Sequence, residues 1–228
     1  MSADFAQSET RLNLMRAFAG ESQARNRYTF AAGLARRKNL YVLESVFTFT
    51  ADQERAHAKV FYNLLEQVSG QNLQVDGTYP VELFPDILDH LRSAQHNEYQ
   101  EWDHDYAGFS RTAQEEGFPE IAHIFSMIAG IEKTHGDRFG KFAELLEQDK
   151  LFVSDVQVKW MCLNCGQIID ATMAPAVCPV CKHPQGYFIC KPHTQALTAR
   201  RRRWGPGYVH EEMKMVGEGN LPVLNMAL

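Results

Sequence analysis

Two stretches of the chain place apolar residues at steps of four and three in the same register. The first runs Leu43, Phe47, Thr50, Glu54, His57, Phe61, Leu64, and the second Ile121, Phe125, Ile128, Glu132, His135, Phe139, Phe142. Steps of four and three keep each set on one face of a helix. The stripe is apolar around Glu54/His57 and around Glu132/His135. A carboxylate and an imidazole on a core-facing stripe need a partner inside, and a metal ion answers that need best.

The same periodicity predicts a four-helix bundle over residues 8–150. Helix one spans about 8–37, with Leu14, Ala17, Glu21, Ala24, Tyr28, Ala31 and Ala35 on its inner face, and Lys38-Asn39 turns the chain into helix two, about 40–68. Gly70, Gly77, Pro80 and Pro85 make 69–85 a long connection. Helix three follows as a single run to about Glu116, with Leu91, Ala94, Glu98 and Glu101 inward; Gly117-Phe118-Pro119 ends it, and Pro119 opens a fourth helix that ends near Lys150. The short turns make two antiparallel hairpins, and the long middle connection allows a crossover between them.

The halves also read as an internal repeat. An offset of 78 maps helix two onto helix four, and one of 77 maps Leu14, Ala17 and Glu21 onto Leu91, Ala94 and Glu98. At the next position Ala24 corresponds to Glu101, an additional inward carboxylate. A symmetric di-metal bundle needs one Glu from each of two helices and a Glu-x-x-His from each of the others. Glu21, Glu98, Glu54/His57 and Glu132/His135 supply that set, and Glu101 makes a seventh candidate ligand. Oxygen-rich ligation with two imidazoles suits iron or manganese. Leaving so many buried charges to pair only with one another would be costly. Tyr28, seven residues after Glu21, lies on the ligand face, where hydrogen bonding to a ligand carboxylate and plain packing are both open readings. Tyr106, five after Glu101 and less clearly inward, could also bond a ligand carboxylate, with packing the favoured reading.

Five cysteines change the picture beyond residue 150. Cys162-x-x-Cys165, twelve residues, then Cys178-x-x-Cys181 places four thiolates in two knuckles, a tetrahedral sulfur site for zinc or a single iron. Gly166 and Pro179 suit the knuckle turns. The spacing does not choose between the two metals, and a purely structural zinc ribbon stays open. Cysteines arranged for metal rather than disulfides suggest a reducing, cytoplasmic setting. Hydrophobic residues at 45% favour a sizeable core, and a net charge of −5 gives no case for nucleic-acid binding. No secretory leader and no membrane span are expected. Cys190 is the odd cysteine and reads as a bystander; the remaining histidines have no matching constellation.

The motifs resemble those of rubrerythrins. GESQARNRYTF from Gly20, ADQERAH from Ala51, NEYQEWDHDY from Asn97 and IEKTH from Ile131 are similar to that family's four di-iron segments, and the stretch from Trp160 to Phe188 to its rubredoxin-like module. The resemblance covers roughly residues 10–190. It implies a mainly α fold, a ferritin-like bundle at 8–150 followed by a rubredoxin-like four-cysteine module at 157–190. It implies two non-haem irons held by Glu21, Glu54, His57, Glu98, Glu101, Glu132 and His135, with Glu54 and Glu132 bridging. It turns the Cys162/Cys165/Cys178/Cys181 site towards iron. Glu101 and His57 would exchange as ligands of one iron as its oxidation state changes, and these two with Tyr28 are the candidate catalytic residues. The implied activity is reduction of hydrogen peroxide to water as an oxidative-stress defence. Electrons would arrive one at a time through the four-cysteine iron from a reductase or rubredoxin, and ultimately from NADH or NADPH through separate proteins, since no Gly-x-Gly-x-x-Gly fingerprint occurs. A homodimer or larger homo-oligomer would bring the sulfur site near a bundle. An iron-handling ferroxidase and a structural zinc-and-carboxylate module are the alternatives.

The chain departs from the resemblance after Phe188. Residues 191–228 form an extension of unassigned role, in which Arg200–Arg203 reads as a solvated basic run, with docking on an acidic surface as the alternative.

Overall fold

The structure is a computed structural model and describes residues 4–197. Most of the extension, including Arg200–Arg203, lies outside the described residues. Helix α1 covers Glu9–Arg37, α2 Tyr41–Asn63, α3 Ile87–Gln100, α4 Tyr106–Glu115 and α5 Pro119–Glu147. Ser8 caps α1, its Oγ accepting from the Arg11 N–H at 3.2 Å. The carboxylate of Glu116 accepts from the N–H groups of Glu9 and Thr10 at 2.9 and 2.8 Å, tying the start of α1 to the α4–α5 turn. Asn39 takes a positive φ of 60° in the turn between α1 and α2, and Pro119 stands at the N-terminus of α5 as its fixed φ favours. α1 packs along α2, and α3 and α4 pack along α5.

One expectation is corrected. The single third helix is broken at Glu101–Asp105 by a π-helical turn, in which the Tyr106 N–H bonds the Glu101 carbonyl five residues back. A π turn inserts one residue into the helical register. The offset relating the halves is therefore 77 at Glu21 and Glu98 but 78 at Tyr28 and Tyr106.

The core is layered. One apolar cluster gathers Tyr28, Val42, Phe47, Leu91, Phe139 and Phe142 near the α1–α2 turn; another gathers Leu14, Phe61, Tyr106, Phe125 and Ile128 towards the opposite end. Along α1, α2 and α5 alike, the candidate ligands fall between the residues of these two clusters. They form a polar layer closed above and below by apolar side chains.

The crossover of residues 64–86 is anchored by Glu82, whose side chain is 4% exposed. Its Oε1 accepts from Arg27 at 2.6 Å, Ser93 at 2.7 Å and Asn97 at 2.8 Å. Removing one partner of a buried ion pair strands the other charge. Glu82→Ala is therefore expected to lower stability by about 3 kcal/mol, read as a fall in the denaturation midpoint.

After α5 the chain forms a three-stranded antiparallel sheet of order β2-β1-β3, with β1 at Val153–Cys162, β2 at Ile168–Met173 and β3 at Phe188–Cys190. Trp160 is buried within it, facing Ile169 on one side and Cys190 on the other. The sheet unit sits on the end of the bundle. Tyr187 stacks on Tyr41 with centroids 4.1 Å apart, Ile189 joins the apolar cluster of Phe142, and a Cβ on Gly186 would lie 1.9 Å from the Asn39 carbonyl oxygen. Glycine is required at that approach. Among the described residues no helix is long and apolar enough to cross a membrane.

Candidate metal centres

The polar layer brings six of the seven bundle candidates together. Glu21, Glu54, His57 and Glu132 form one group, and Glu54, Glu98, Glu132 and His135 a second; within each group the ligand atoms lie within 4.8 Å of one another. Glu54 and Glu132 belong to both. All six residues are buried, His57 the most exposed at 7%. His57 Nδ1 lies 2.9 Å from Glu132 and 3.2 Å from Glu54, and His135 Nδ1 lies 2.8 Å from Glu132 and 3.0 Å from Glu54. Despite these separations, three of the four ring nitrogens and six of the eight carboxylate oxygens are buried with no hydrogen-bond partner. Buried polar atoms are normally satisfied, and orphans that converge on shared points are what metal ligands leave when the ion is not drawn. The residues fit two cations.

Electrostatics agree. Burial pushes the Glu21 and Glu101 carboxyls well up and Glu98 up to about 8, and neighbouring carboxylates add to each. Burial acts the same way on Glu54, but His135 and His57 outweigh it and hold Glu54 down to about 2. Five clustered carboxylates against two imidazoles leave an excess of negative charge that bound cations would offset.

The two tyrosines complete a pseudo-twofold arrangement. Tyr28 on α1 donates its hydroxyl to Glu98 of α3, and Tyr106 on α4 donates to Oε1 of Glu21 on α1 at 2.6 Å. Tyr106, for which spacing favoured packing, is thus also a hydrogen-bond donor, because the π turn rotates it inward to 2% exposure. Glu101 belongs to neither ligand group. It stands on the π turn, keeps partial exposure, and lines a cavity of about 500 Å³ together with Tyr106 and Gly20.

Arg138 was not apparent from the sequence. Its half-buried guanidinium donates to Thr50 Oγ1 at 2.7 Å and Gln53 Oε1 at 2.9 Å and lies over the Phe49 ring. Its position one helical turn after His135 is the only signal that pointed to it.

The four cysteines form a second, separate centre. Cys162 and Cys181 Sγ lie 3.7 Å apart, as do Cys165 and Cys178. A disulfide needs about 2.05 Å. A tetrahedron with metal–sulfur arms of about 2.3 Å has edges of about 3.8 Å, so the thiols fit a single metal. The knuckles are twins: the residues after Cys165 and Cys181, Gly166 and Lys182, have φ of 79° and 62°, and their N–H groups bond the Cys162 and Cys178 carbonyls at 2.8 and 3.0 Å. Burial pushes the Cys162 thiol up to about 12, whereas the His183 backbone amide draws Cys181 down to about 5. Cys190 lies in β3, outside the cluster.

Comparison with known proteins accords with both centres. A family model described as rubrerythrin matches residues 13–143, and one described as the rubrerythrin rubredoxin-like domain matches residues 160–189. A rubrerythrin of Clostridium perfringens is 43% identical over 182 residues, covering 79% of this chain and 93% of its own length. One of Porphyromonas gingivalis is 41% identical over 181 residues, covering 79% and 89%. The solved structure of nigerythrin in a mixed-valence state aligns with TM-score 0.54 and 26% identity, over 82% of this chain and 92% of that one.

Proposed function

Because the chain belongs to the rubrerythrin family, with its di-iron carboxylate centre and four-cysteine rubredoxin-like site, we propose that it reduces hydrogen peroxide to water with electrons delivered through the cysteine site. The observation that carries this reading is the buried layer of Glu and His ligands beside a cavity lined by Glu101 and by Tyr106, whose hydroxyl bonds the layer's Glu21. Nigerythrin has also been solved in an all-ferrous state, at 26% identity and TM-score 0.53, which supports iron as the metal.

Glu54 and Glu132, common to both ligand groups, would bridge two irons; Glu21 with His57 and Glu98 with His135 would complete one position each. Ferrous ions there would supply the two electrons and the Lewis acidity that peroxide cleavage requires. The protein's own contribution is positional. Tyr106 and Tyr28 fix Glu21 and Glu98 by hydrogen bonds, so these carboxylates stay oriented when charge in the layer changes. The apolar clusters above and below keep bulk water out. Glu101, outside both groups, would be the carboxylate available to hold a cation in place of His57 as that charge rises. Glu101→Ala is accordingly expected to leave iron content unchanged and to slow peroxide reduction by about 10–100-fold, measured by stopped-flow oxidation alongside metal analysis.

The four-cysteine iron would take single electrons from a reductase or rubredoxin, with NADH or NADPH as the ultimate source in a separate protein. The module attaches at Tyr41, and Glu54 lies thirteen residues further along α2, about 20 Å of helix. A homodimer that sets the module of one copy against the bundle of the other would shorten that path; sedimentation equilibrium of the full chain measures the oligomer. The functional test is anaerobic: iron-loaded protein, reduced rubredoxin and hydrogen peroxide, following donor oxidation. Sustained turnover supports peroxide reduction. Oxidation by dioxygen with retained mineral iron, and no peroxide turnover, would instead mean iron handling.

A further inference from the structure

The cavity beside Glu101 is far larger than hydrogen peroxide requires. A water occupies about 30 Å³ of the liquid, so a two-oxygen peroxide needs about 60 Å³, against about 500 Å³ here. That volume falls within the usual range for small-molecule sites, roughly 300–1,000 Å³. Its lining is mixed: Ala17, Phe109, Tyr79 and Pro80 offer carbon for an alkyl group, among side chains that are otherwise largely polar or charged.

Gly20 adds an independent observation. It lies inside α1, beside Glu21, where glycine costs about 1 kcal/mol relative to alanine. The usual reason for such a glycine is a close neighbour, as at Gly186. At Gly20 a Cβ would meet nothing within 4 Å. The residue is not needed for packing; it lines the cavity, and any side chain placed there would occupy cavity space. Residues 76–80 of the crossover form one side of this half-open cavity and are held there, since Asp76 accepts from Arg16 at 2.8 Å and the buried Glu82 side chain anchors the next turn of chain.

We propose that this cavity is a substrate vestibule, kept open by Gly20 and lined on one side by the crossover, which admits small organic hydroperoxides as well as hydrogen peroxide. The inference rests on the peroxide-reducing reading above. The step is ROOH + 2 e⁻ + 2 H⁺ → ROH + H₂O: the O–O bond breaks, the distal oxygen leaves as water, and the proximal oxygen stays on carbon as the alcohol. Both electrons come from the reduced donor through the cysteine site. The R group would lie along the Phe109 and Tyr79 wall, with the peroxide end at Glu101.

The experiment compares hydrogen peroxide and tert-butyl hydroperoxide as substrates of the full-length, iron-loaded protein, wild type and Gly20→Leu. The wild type is expected to reduce both. In Gly20→Leu the ratio of kcat/KM for hydrogen peroxide over that for tert-butyl hydroperoxide should rise about tenfold or more, as expected when a pocket loses room for alkyl groups; Gly20→Ala should fall between, and circular dichroism confirms that the variants fold. A second readout needs no turnover. The methyl protons of tert-butyl alcohol, the product, should relax faster in the presence of the reduced, paramagnetic wild type than with Gly20→Leu. Turnover of hydrogen peroxide but not of tert-butyl hydroperoxide by the wild type would overturn the vestibule and leave the peroxidase reading intact. Turnover of neither would sink both. An unchanged ratio and unchanged relaxation in a folded Gly20→Leu protein would show that organic substrates, if reduced, do not enter here.

Discussion

Glu54→Ala is expected to empty both bundle metal positions at once, leaving only the metal of the four-cysteine site. Glu54 is the α2 member of both ligand groups, so its loss removes one oxygen donor from each position. It also leaves His57 and His135 without the carboxylate that lies 3.2 and 3.0 Å from their Nδ1 atoms. Removal of a supporting group alone typically costs 10–100-fold in metal affinity, and removal of a shared ligand should exceed about 100-fold at each position. Glu21→Ala, by contrast, touches only one group. Iron per chain, measured after exhaustive dialysis, should therefore fall in two steps across the pair of variants. Equal losses in both would argue against a shared Glu54. The helices should persist in either case, because alanine suits a helix interior and removes a buried charge.

Cys162→Ser should abolish peroxide turnover driven by a protein donor while leaving the bundle folded and able to load metal. Cys162 is fully buried, and its sulfur forms one edge of the tetrahedron with Cys181. A serine hydroxyl is a poor substitute for a thiolate at a soft site. The module is a separate sheet attached at one end of the bundle, with its own small core around Trp160 and Phe188, so the damage should stay local. Donor-driven rates should drop by at least about 100-fold, while the chemically reduced variant, which bypasses the relay, should still react with peroxide at close to the wild-type rate. Wild-type rates with the protein donor would remove the cysteine site from the electron path.

Much of the bundle was legible because the stripe and the ligands share one period. A Glu and a His three apart on an apolar helical face are conspicuous, and doubling of the pattern in α2 and α5 fixes their height relative to each other. The cysteine knuckles were legible for a similar reason, since their chemistry is local to a few residues. Contacts between distant segments were not. The Glu82 hub depends on where the crossover lies over α1 and α3, and no local pattern reports that. Arg138 carries no sequence signal beyond its place one turn after His135, because its partners Thr50 and Gln53 lie on another helix. The π turn left a trace that a rigid 77-residue offset hides: Tyr106 follows Tyr28 by 78, the same offset that relates α2 to α5. Treating helix three as uninterrupted favoured packing for Tyr106 over a bond to a ligand carboxylate, whereas the inserted residue turns its hydroxyl onto Glu21. Gly20 belongs with these. A glycine in a helix is visible in sequence, but the empty space it faces exists only once α1, the π turn and the crossover are assembled.

The most direct test of the central claim is a single-turnover titration. The fully reduced, iron-loaded protein is mixed anaerobically with increasing hydrogen peroxide, and oxidation of the bundle iron is followed by absorbance and Mössbauer spectroscopy. Peroxide reduction at a two-iron centre predicts complete oxidation of the bundle iron at one equivalent of peroxide per centre, with water as the product and no dioxygen released. Bundle iron that stays reduced under excess peroxide while dioxygen oxidises it readily would contradict the assignment.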